Sequence, residues 1–422
     1  LKNEATHDPY QALRYRDFRL LLTGILIAGL GNQMLSLAIG WELYQRTDSA
    51  LVLGLVGLVQ VVPVLTLSLI SGHVADQYDR KTVVILSQLV LMAASVGLTV
   101  LTYLHGSIVS IFACLLLIGI GGAFSGPAAR TLPTEVVPER LLENSATWTS
   151  SIQQLSAVVG PAFGGVIIAL LGTTTVVYAL NVLAAATYVV LLLFVRGGKA
   201  PVRVRRNMTI RSLGEGITFL RETPILLAAI TMDLFAVLLG GATTLLPIFA
   251  RDILQVGPTG FGWLRAAPSI GAVSMALYLA HRPPMKRAGP TLLLAVTGFG
   301  VATILFGISR SFLVSLGLLL ILGALDNISV VIRNTLSLTR TPNEMRGRVS
   351  AIYGLFVMAS NQLGGFESGV TAQLFGPVIS VVGGGIGTIL VVIAAAWIWP
   401  ELRNLTTLRA PESKAPSSVA PE

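Results

Sequence analysis

Long stretches without a single acidic or basic residue alternate with short charged clusters along almost the whole chain. Residues 20–41, 82–104, 107–129, 288–309 and 377–399 contain no Asp, Glu, Lys or Arg. Each run reaches the roughly 20 apolar residues that a helix needs to cross about 30 Å of hydrocarbon. In lipid the backbone must satisfy its own hydrogen bonds, and the alternation of a barrel strand is absent, so the runs predict helices. The pattern predicts twelve spans at about 20–43, 50–73, 82–104, 107–129, 145–170, 174–195, 224–250, 259–281, 288–309, 311–333, 349–375 and 377–399. Two breaks lack a charged loop. Spans 5 and 6 part at Gly172-Thr173-Thr174, and spans 11 and 12 at Gly376-Pro377, where proline removes a backbone donor.

Composition agrees with an all-α polytopic membrane protein. The chain is 53% hydrophobic and only 12% charged, whereas soluble domains carry about a quarter of their residues as charges. The net charge of +9 would fit nucleic acid if the bases formed a patch, but they fall in alternate loops. With the N-terminus placed in the cytoplasm, 25 of the 29 bases lie on that side; only Arg46, Arg251 and Arg310 lie opposite, and Arg265 falls inside a span. That asymmetry predicts two cytoplasmic termini in a plasma (inner) membrane and excludes nucleic acid as partner. The lone Cys114 gives neither a disulfide framework nor a metal set. No cofactor or catalytic motif is expected.

The basic segment 196–222 divides the chain into a six-helix bundle over 1–195 and a second over 223–400, with a disordered cytoplasmic tail expected at 401–422. A faint repeat at an offset of 204–205 links the halves. Gly57 and Pro63 match Gly262 and Pro268, Lys81 matches Lys286, Pro138 matches Pro342, and Gly160 matches Gly364. Two parallel six-helix repeats with a site between them form a known plan for secondary transporters.

The loop between spans 2 and 3 reads Gly72-His73-Val74-Ala75-Asp76-Gln77-Tyr78-Asp79-Arg80-Lys81. It resembles the signature loop of the major facilitator superfamily, Gly-x-x-x-Asp-Arg-x-Gly-Arg-Lys or Arg. Gly72, Asp76, Arg80 and Lys81 match, and Gln77 and Asp79 depart. Span 5 carries Gly160-Pro161-Ala162-Phe163-Gly164-Gly165, similar to the Gly-Pro-x-x-Gly-Gly motif of antiporters. Tyr15-Arg16-Asp17-Phe18-Arg19, Gly31-Asn32-Gln33 and Trp41 resemble the opening of the siderophore and macrolide exporters of that superfamily. Asn32 stands where that branch often has an acid, and no Arg lies in span 4, so proton coupling is less well implied than the two-bundle fold. The resemblance makes Asp76 a gating residue, latched to a neighbouring helix end and to Arg346 or Arg348. Gly164 and Gly165 would admit another backbone, and Pro161 would permit a bend.

Four charges are expected inside the spans, all in the second half: Asp233, Arg265, Asp326 and Glu367. A charge at the bilayer centre costs about 2.5–3.5 kcal/mol even on the lenient scale, so it faces a cavity or a partner. At about 1.5 Å per residue, Asp233 and Asp326 share a depth and are candidates for proton coupling, unless Asp326 is tied to Arg333 on its own helix face. Arg265 and Glu367 share a depth nearer the other end and are expected to pair or gate. Asn32, Gln33, Gln153, Gln154, Asn327 and Asn361 are candidate cavity groups for an amphiphilic solute. The resulting expectation is a monomeric proton-coupled exporter of an amphiphilic small molecule (drug, macrolide or siderophore). A lipid or lysolipid flippase and a non-transporting receptor are the competing readings.

Overall fold

The computed structural model describes residues 8–196, 210–283, 285–342 and 344–406, apart from the side chains of Leu69, Asp76 and residues 210–213. Six long helices come first: α1 (Arg16–Thr47), α2 (Ala50–Gln77), α3 (Arg80–Tyr103), α4 (Ile108–Glu135), α5 (Leu142–Leu171) and α6 (Thr175–Phe194). After α7 (Ile210–Glu222) come α8 (Pro224–Leu239), the single turn α9 (Leu246–Ile248) with a π-helical continuation to Ile253, and α10 (Gly257–Ala280). Then follow α11 (Ala288–Ile308), α12 (Phe312–Arg340), α13 (Arg346–Phe375), α14 (Pro377–Ile398) and the short α15 (Pro400–Arg403).

The turns follow from local chemistry. Asp79 caps α3 by accepting from Thr82 N at 2.9 Å, and Ser107 caps α4 by accepting from Ser110 N at 3.2 Å. Gly172 ends α5 at φ +67°, and Gly376 at φ +91° with Pro377 at N1 separates α13 from α14. Both expected breaks are therefore present.

Among the described residues, ten helical segments are long and apolar enough to cross a membrane. The two further long helices are α10 and α13. Their sequences hold Arg265 in one, and Asn361, Gln362 and Glu367 in the other, with many glycines and serines. These polar groups lower the mean hydropathy of the two helices.

In the first group α1 packs against α5 and α6, α3 against α4 and α6, and α2 against α4; in the second, α10 meets α12, α11 meets α12 and α14, and α8 meets α13 and α14. Two extensive helix pairs join the groups, α5 with α10 and α2 with α13. Both depend on glycine. A Cβ on Gly369 would lie 2.7 Å from Gly54 Cα, and one on Gly262 would meet Pro161 O at 2.5 Å and Gly165 Cα at 3.2 Å. Of the Gly164-Gly165 pair, Gly165 sits at the α5–α10 crossing, while Gly164 packs against Met34 and Leu37 of α1.

The hydrophobic core distinguishes the two ends of the molecule. At the end opposite the basic loops one cluster runs through both groups, from Leu37 and Trp41 to Phe249, Phe261 and Phe306. At the basic end the core breaks into separate clusters, one around Val84 and Leu192 and another around Leu226, Leu292 and Val349. The groups are sealed at one end and parted at the other.

Three expectations change here. Arg333, one of the 25 bases that the charge asymmetry places on the cytoplasmic side, lies within α12, which continues to Arg340, and is only 4% exposed. The first half is not free of internal charge, because Glu42 near the end of α1 is also 4% exposed. It pairs with Arg46 at 2.7 Å and accepts from the hydroxyls of Thr102 (2.9 Å) and Thr174 (2.7 Å). Finally, the expected tail does not begin at 401: Leu402 and Leu405 are buried, and Gly289 N donates to Leu405 O at 3.0 Å. Residues 407–422, and 197–209 of the basic segment, lie outside the described residues.

Candidate functional site

Where the two groups part, a cavity of about 870 Å³ opens between them. The basic-end halves of α2, α4, α12 and α13 contribute Gly72, Arg130, Asn334 and Tyr353 to its wall. Further in, it is bounded by Val237, Thr243, Pro268, Phe299 and Leu322. The wall is mostly apolar with a few convergent polar groups, the usual make-up of a small-molecule site.

Those polar groups include one charged cluster. Asp233 on α8 and Asp326 and Arg333 on α12 all line the cavity. The Asp233 carboxylate is ion-paired with the Arg333 guanidinium, and both side chains are nearly inaccessible, at 7% and 3% exposure. Asp326 Oδ1 lies 4.0 Å from Arg333 Nη2, and its side chain is 46% exposed toward the cavity. Residues 326 and 333 are seven apart, two turns on one helix face, so α12 presents acid and base together. Arg333 also donates from Nε to Ser329 O at 3.2 Å and lies over the Tyr353 ring, 6.0 Å from its centroid.

One cation faces two carboxylates. Geometry assigns it to Asp233, which is inaccessible and in direct contact, and leaves Asp326 at the edge of the pair and open to the cavity. A proton on Asp326 makes the triad neutral, and its loss leaves one net negative charge in a low-dielectric wall. Sequence reasoning placed both acids at one depth and offered Arg333 as a local tie for Asp326, but it did not foresee that Arg333 pairs with Asp233 across from α12 to α8. The i,i+7 spacing was the signal that held.

The other candidates divide. Gln154 and Asn361 line the cavity, whereas Asn32, Gln33, Gln153 and Asn327 do not. Gln33 packs against Gly160, Asn32 and Gln153 are exposed, and Asn327 Oδ1 is buried without a hydrogen-bond partner. Arg265 and Glu367 are not paired. The Arg265 guanidinium donates to Thr243 O at 3.3 Å and reaches Ser36 Oγ at 3.5 Å, while Glu367 accepts from Ser368 Oγ at 3.4 Å. Equal depth along two helices does not fix the direction in which each side chain points.

The side chain of Asp76 lies outside the described residues, and the expected latch to Arg346 or Arg348 falls with it. Arg346 donates to Thr341 O at 3.2 Å, and Arg348 pairs with Glu215 of α7 at 2.6 Å, so that α7 docks on the start of α13. Arg80 pairs with Glu135 at 2.6 Å, and Lys81 Nζ donates to Val195 O at 2.7 Å beyond the C-terminus of α6. These two bases of the signature loop brace α3 against α4 and α6.

The sealed end carries polar contacts that sequence reasoning did not foresee. Tyr44 Oη of α1 donates to the Asp252 carboxylate, and Arg251 pairs with Asp48 at 2.6 Å. Ser49 Oγ donates to Gln373 Oε1 at 3.0 Å, and the rings of Trp41 and Phe261 stack at 5.8 Å. Every one of these contacts joins the first group of helices to the second.

Residues 7–417 match the family model described as transmembrane secretion effector. The multidrug efflux pump Tap of Mycolicibacterium fortuitum is 28% identical over 405 residues, covering 93% of this chain and 98% of that protein. The enterobactin exporter EntS of Shigella boydii serotype 4 (strain Sb227) is 25% identical over 406 residues, or 94% of each chain. Among solved structures, a bacterial homolog of the human lysosomal transporter Spinster, in an inward-facing and unoccupied conformation, superposes with a TM-score of 0.71 at 14% identity, covering 95% of this chain and 99% of that one. A D-xylose–proton symporter gives a TM-score of 0.68 at 14% identity, covering 93% and 100%. The chain is a multi-pass integral membrane protein with the major facilitator fold, and it belongs to the transmembrane secretion effector family of that transporter superfamily.

Proposed function

We propose that this protein exports an amphiphilic organic compound by alternating access, driven by proton exchange at Asp326. The observation that carries this reading is the Asp233–Arg333–Asp326 triad on the wall of the cavity between the two helix groups. A mostly apolar wall with a few charges suits a solute that is apolar over most of its surface and polar at one end. The likeness to a multidrug efflux pump and an enterobactin exporter supports export of such compounds.

In this reading twelve helices span the inner membrane, with α10 and α13 counted among them. The basic loops and both termini face the cytoplasm, the two six-helix bundles act as rigid bodies, and one chain suffices. The cavity then opens inward, and the seal lies on the outer side. Export requires the seal to break while the basic end closes, and loading of the site shifts the balance between the two forms. Protonation of Asp326 from the outside and its deprotonation to the inside would couple that cycle to the proton gradient.

A deletion strain challenged with a broad panel of amphiphilic compounds tests direction and class together. Hypersensitivity reversed by the wild-type gene is the expected outcome; a strain indistinguishable from its parent across the panel speaks against export.

The seal makes a separate prediction. Tyr44→Phe removes a hydrogen bond to a charged group, an interaction worth about 1.5–3 kcal/mol, and this one joins the two bundles. The variant is expected to populate the outward-open form at least about tenfold more. Accessibility of a cysteine placed at Gly40 to an impermeant thiol reagent, in a chain lacking Cys114, should rise accordingly. Unchanged labelling would mean that Tyr44–Asp252 does not hold the outer side shut.

A further inference from the structure

A second, smaller cavity of about 140 Å³ lies within the sealed end. Its wall brings together Ser36 of α1, Gln60 of α2, Arg265 of α10 and Gln362 of α13, with Phe261 and Leu53 as apolar neighbours. Both helix groups contribute. Thr243 and Thr244 line this pocket and the central cavity alike, so the small pocket forms the head of the large one.

Arg265 sets this pocket apart. Three other arginines set among the helices each have an acid: Arg46 has Glu42 at 2.7 Å, Arg80 has Glu135 at 2.6 Å, and Arg333 has Asp233. Arg265 has no carboxylate within 4.0 Å among the described residues; its contacts are one carbonyl at 3.3 Å and one hydroxyl at 3.5 Å, both long for hydrogen bonds. A guanidinium offers five N–H donors in a planar fork that matches a carboxylate. The side chains around it, Ser36, Gln60, Thr244 and Gln362, can all donate, and no acid lines the pocket. An uncompensated cation at this depth is costly, and an anion removes that cost.

We infer that this pocket is an anion subsite in which Arg265 holds the carboxylate of an organic acid, with Ser36, Gln60 and Gln362 completing its shell. Resting on the export reading above, it assigns the transported amphiphile an acidic end that reaches the head of the cavity.

The test uses full-length protein in lipid nanodiscs, titrated calorimetrically with benzoate and with benzylammonium, two probes of similar size and opposite charge. Benzoate is expected to bind the wild type and to weaken at least about tenfold in Arg265→Gln. Arg265→Lys should fall between the two, since an ammonium keeps the charge and loses the fork. Benzylammonium should show no dependence on residue 265. Should Arg265→Gln fail to fold, Arg265→Lys and Gln60→Leu carry the same comparison from opposite walls. Benzoate binding that is equal in wild type and variants overturns the subsite. Added chloride that displaces benzoate in proportion to its concentration also overturns it, because the pocket is then a halide site. Failure of this inference and failure of the export reading are distinguishable. Normal export of a panel compound with benzoate binding indifferent to Arg265 removes only the subsite, and Arg265-dependent benzoate binding without any export removes only the transport reading.

Discussion

Arg333→Met is expected to destabilise the protein by about 3–5 kcal/mol, because it leaves a buried carboxylate without its cation. Asp233 is the stranded group. Its side chain is 7% exposed, and Arg333 is its one ion-pair partner among the described residues. The loss should appear as a lower midpoint when the protein, held in detergent or nanodiscs, is titrated with denaturant. Adding Asp233→Leu to Arg333→Met removes the stranded charge, and replacement of a buried ion pair by apolar side chains is often neutral or stabilising. The double variant should therefore recover most of the stability and reach the membrane, yet fail to export. That combination separates two roles of the triad, since a purely structural ion pair would regain function along with stability. Wild-type stability in the single variant would show that Asp233 is not held by Arg333.

The second large effect is at Asp326. Its side chain is 46% exposed and stands 4.0 Å from the guanidinium, so little folding free energy depends on it. Asp326→Asn fixes the triad in its neutral form, with Arg333 still matched to Asp233. The variant is expected to accumulate in the membrane at wild-type levels and to lose proton-driven export by about 100-fold. Asp233→Asn should behave differently and lose stability as well as export, because it strands Arg333 instead. The contrast between two carboxylates at the same depth rests on their exposure, one sealed in an ion pair and the other open to the cavity.

How much of this was legible in the sequence varies with the physics behind each inference. Uncharged runs give helices in lipid because no other backbone arrangement satisfies its hydrogen bonds there. Gly172 and Gly376-Pro377 likewise mark helix ends for stereochemical reasons that depend only on local residues. Hydropathy was a weaker guide for α10 and α13, whose Arg265, Asn361 and Gln362 line cavities between the helix groups. Side-chain direction was the least legible. Rise per residue places Arg265 and Glu367 at one depth, but pairing also needs azimuth, which is set by how α10 and α13 pack. The triad was half visible: the two acids stand out against apolar surroundings and the i,i+7 spacing brings Arg333 to Asp326, while the ion pair of Arg333 with Asp233 crosses from α12 to α8 and depends on how those helices pack. Glu42 was missed because, as the first charge after an uncharged run, it stands near a boundary where loop charges are expected. The contacts of the seal, Tyr44 with Asp252 and Arg251 with Asp48, join residues over 200 positions apart. No local pattern announces them.

The central claim is that proton exchange at Asp326 drives export through the cavity between the two helix groups. Everted membrane vesicles energised with an inward-acid pH gradient test it most directly, with uptake of the panel compound to which the deletion strain is most sensitive as the readout. Vesicles bearing the wild-type protein should accumulate the compound, a protonophore should abolish that accumulation, and vesicles bearing Asp326→Asn should show none. Accumulation that persists with the protonophore, or that Asp326→Asn supports at the wild-type rate, would contradict the account.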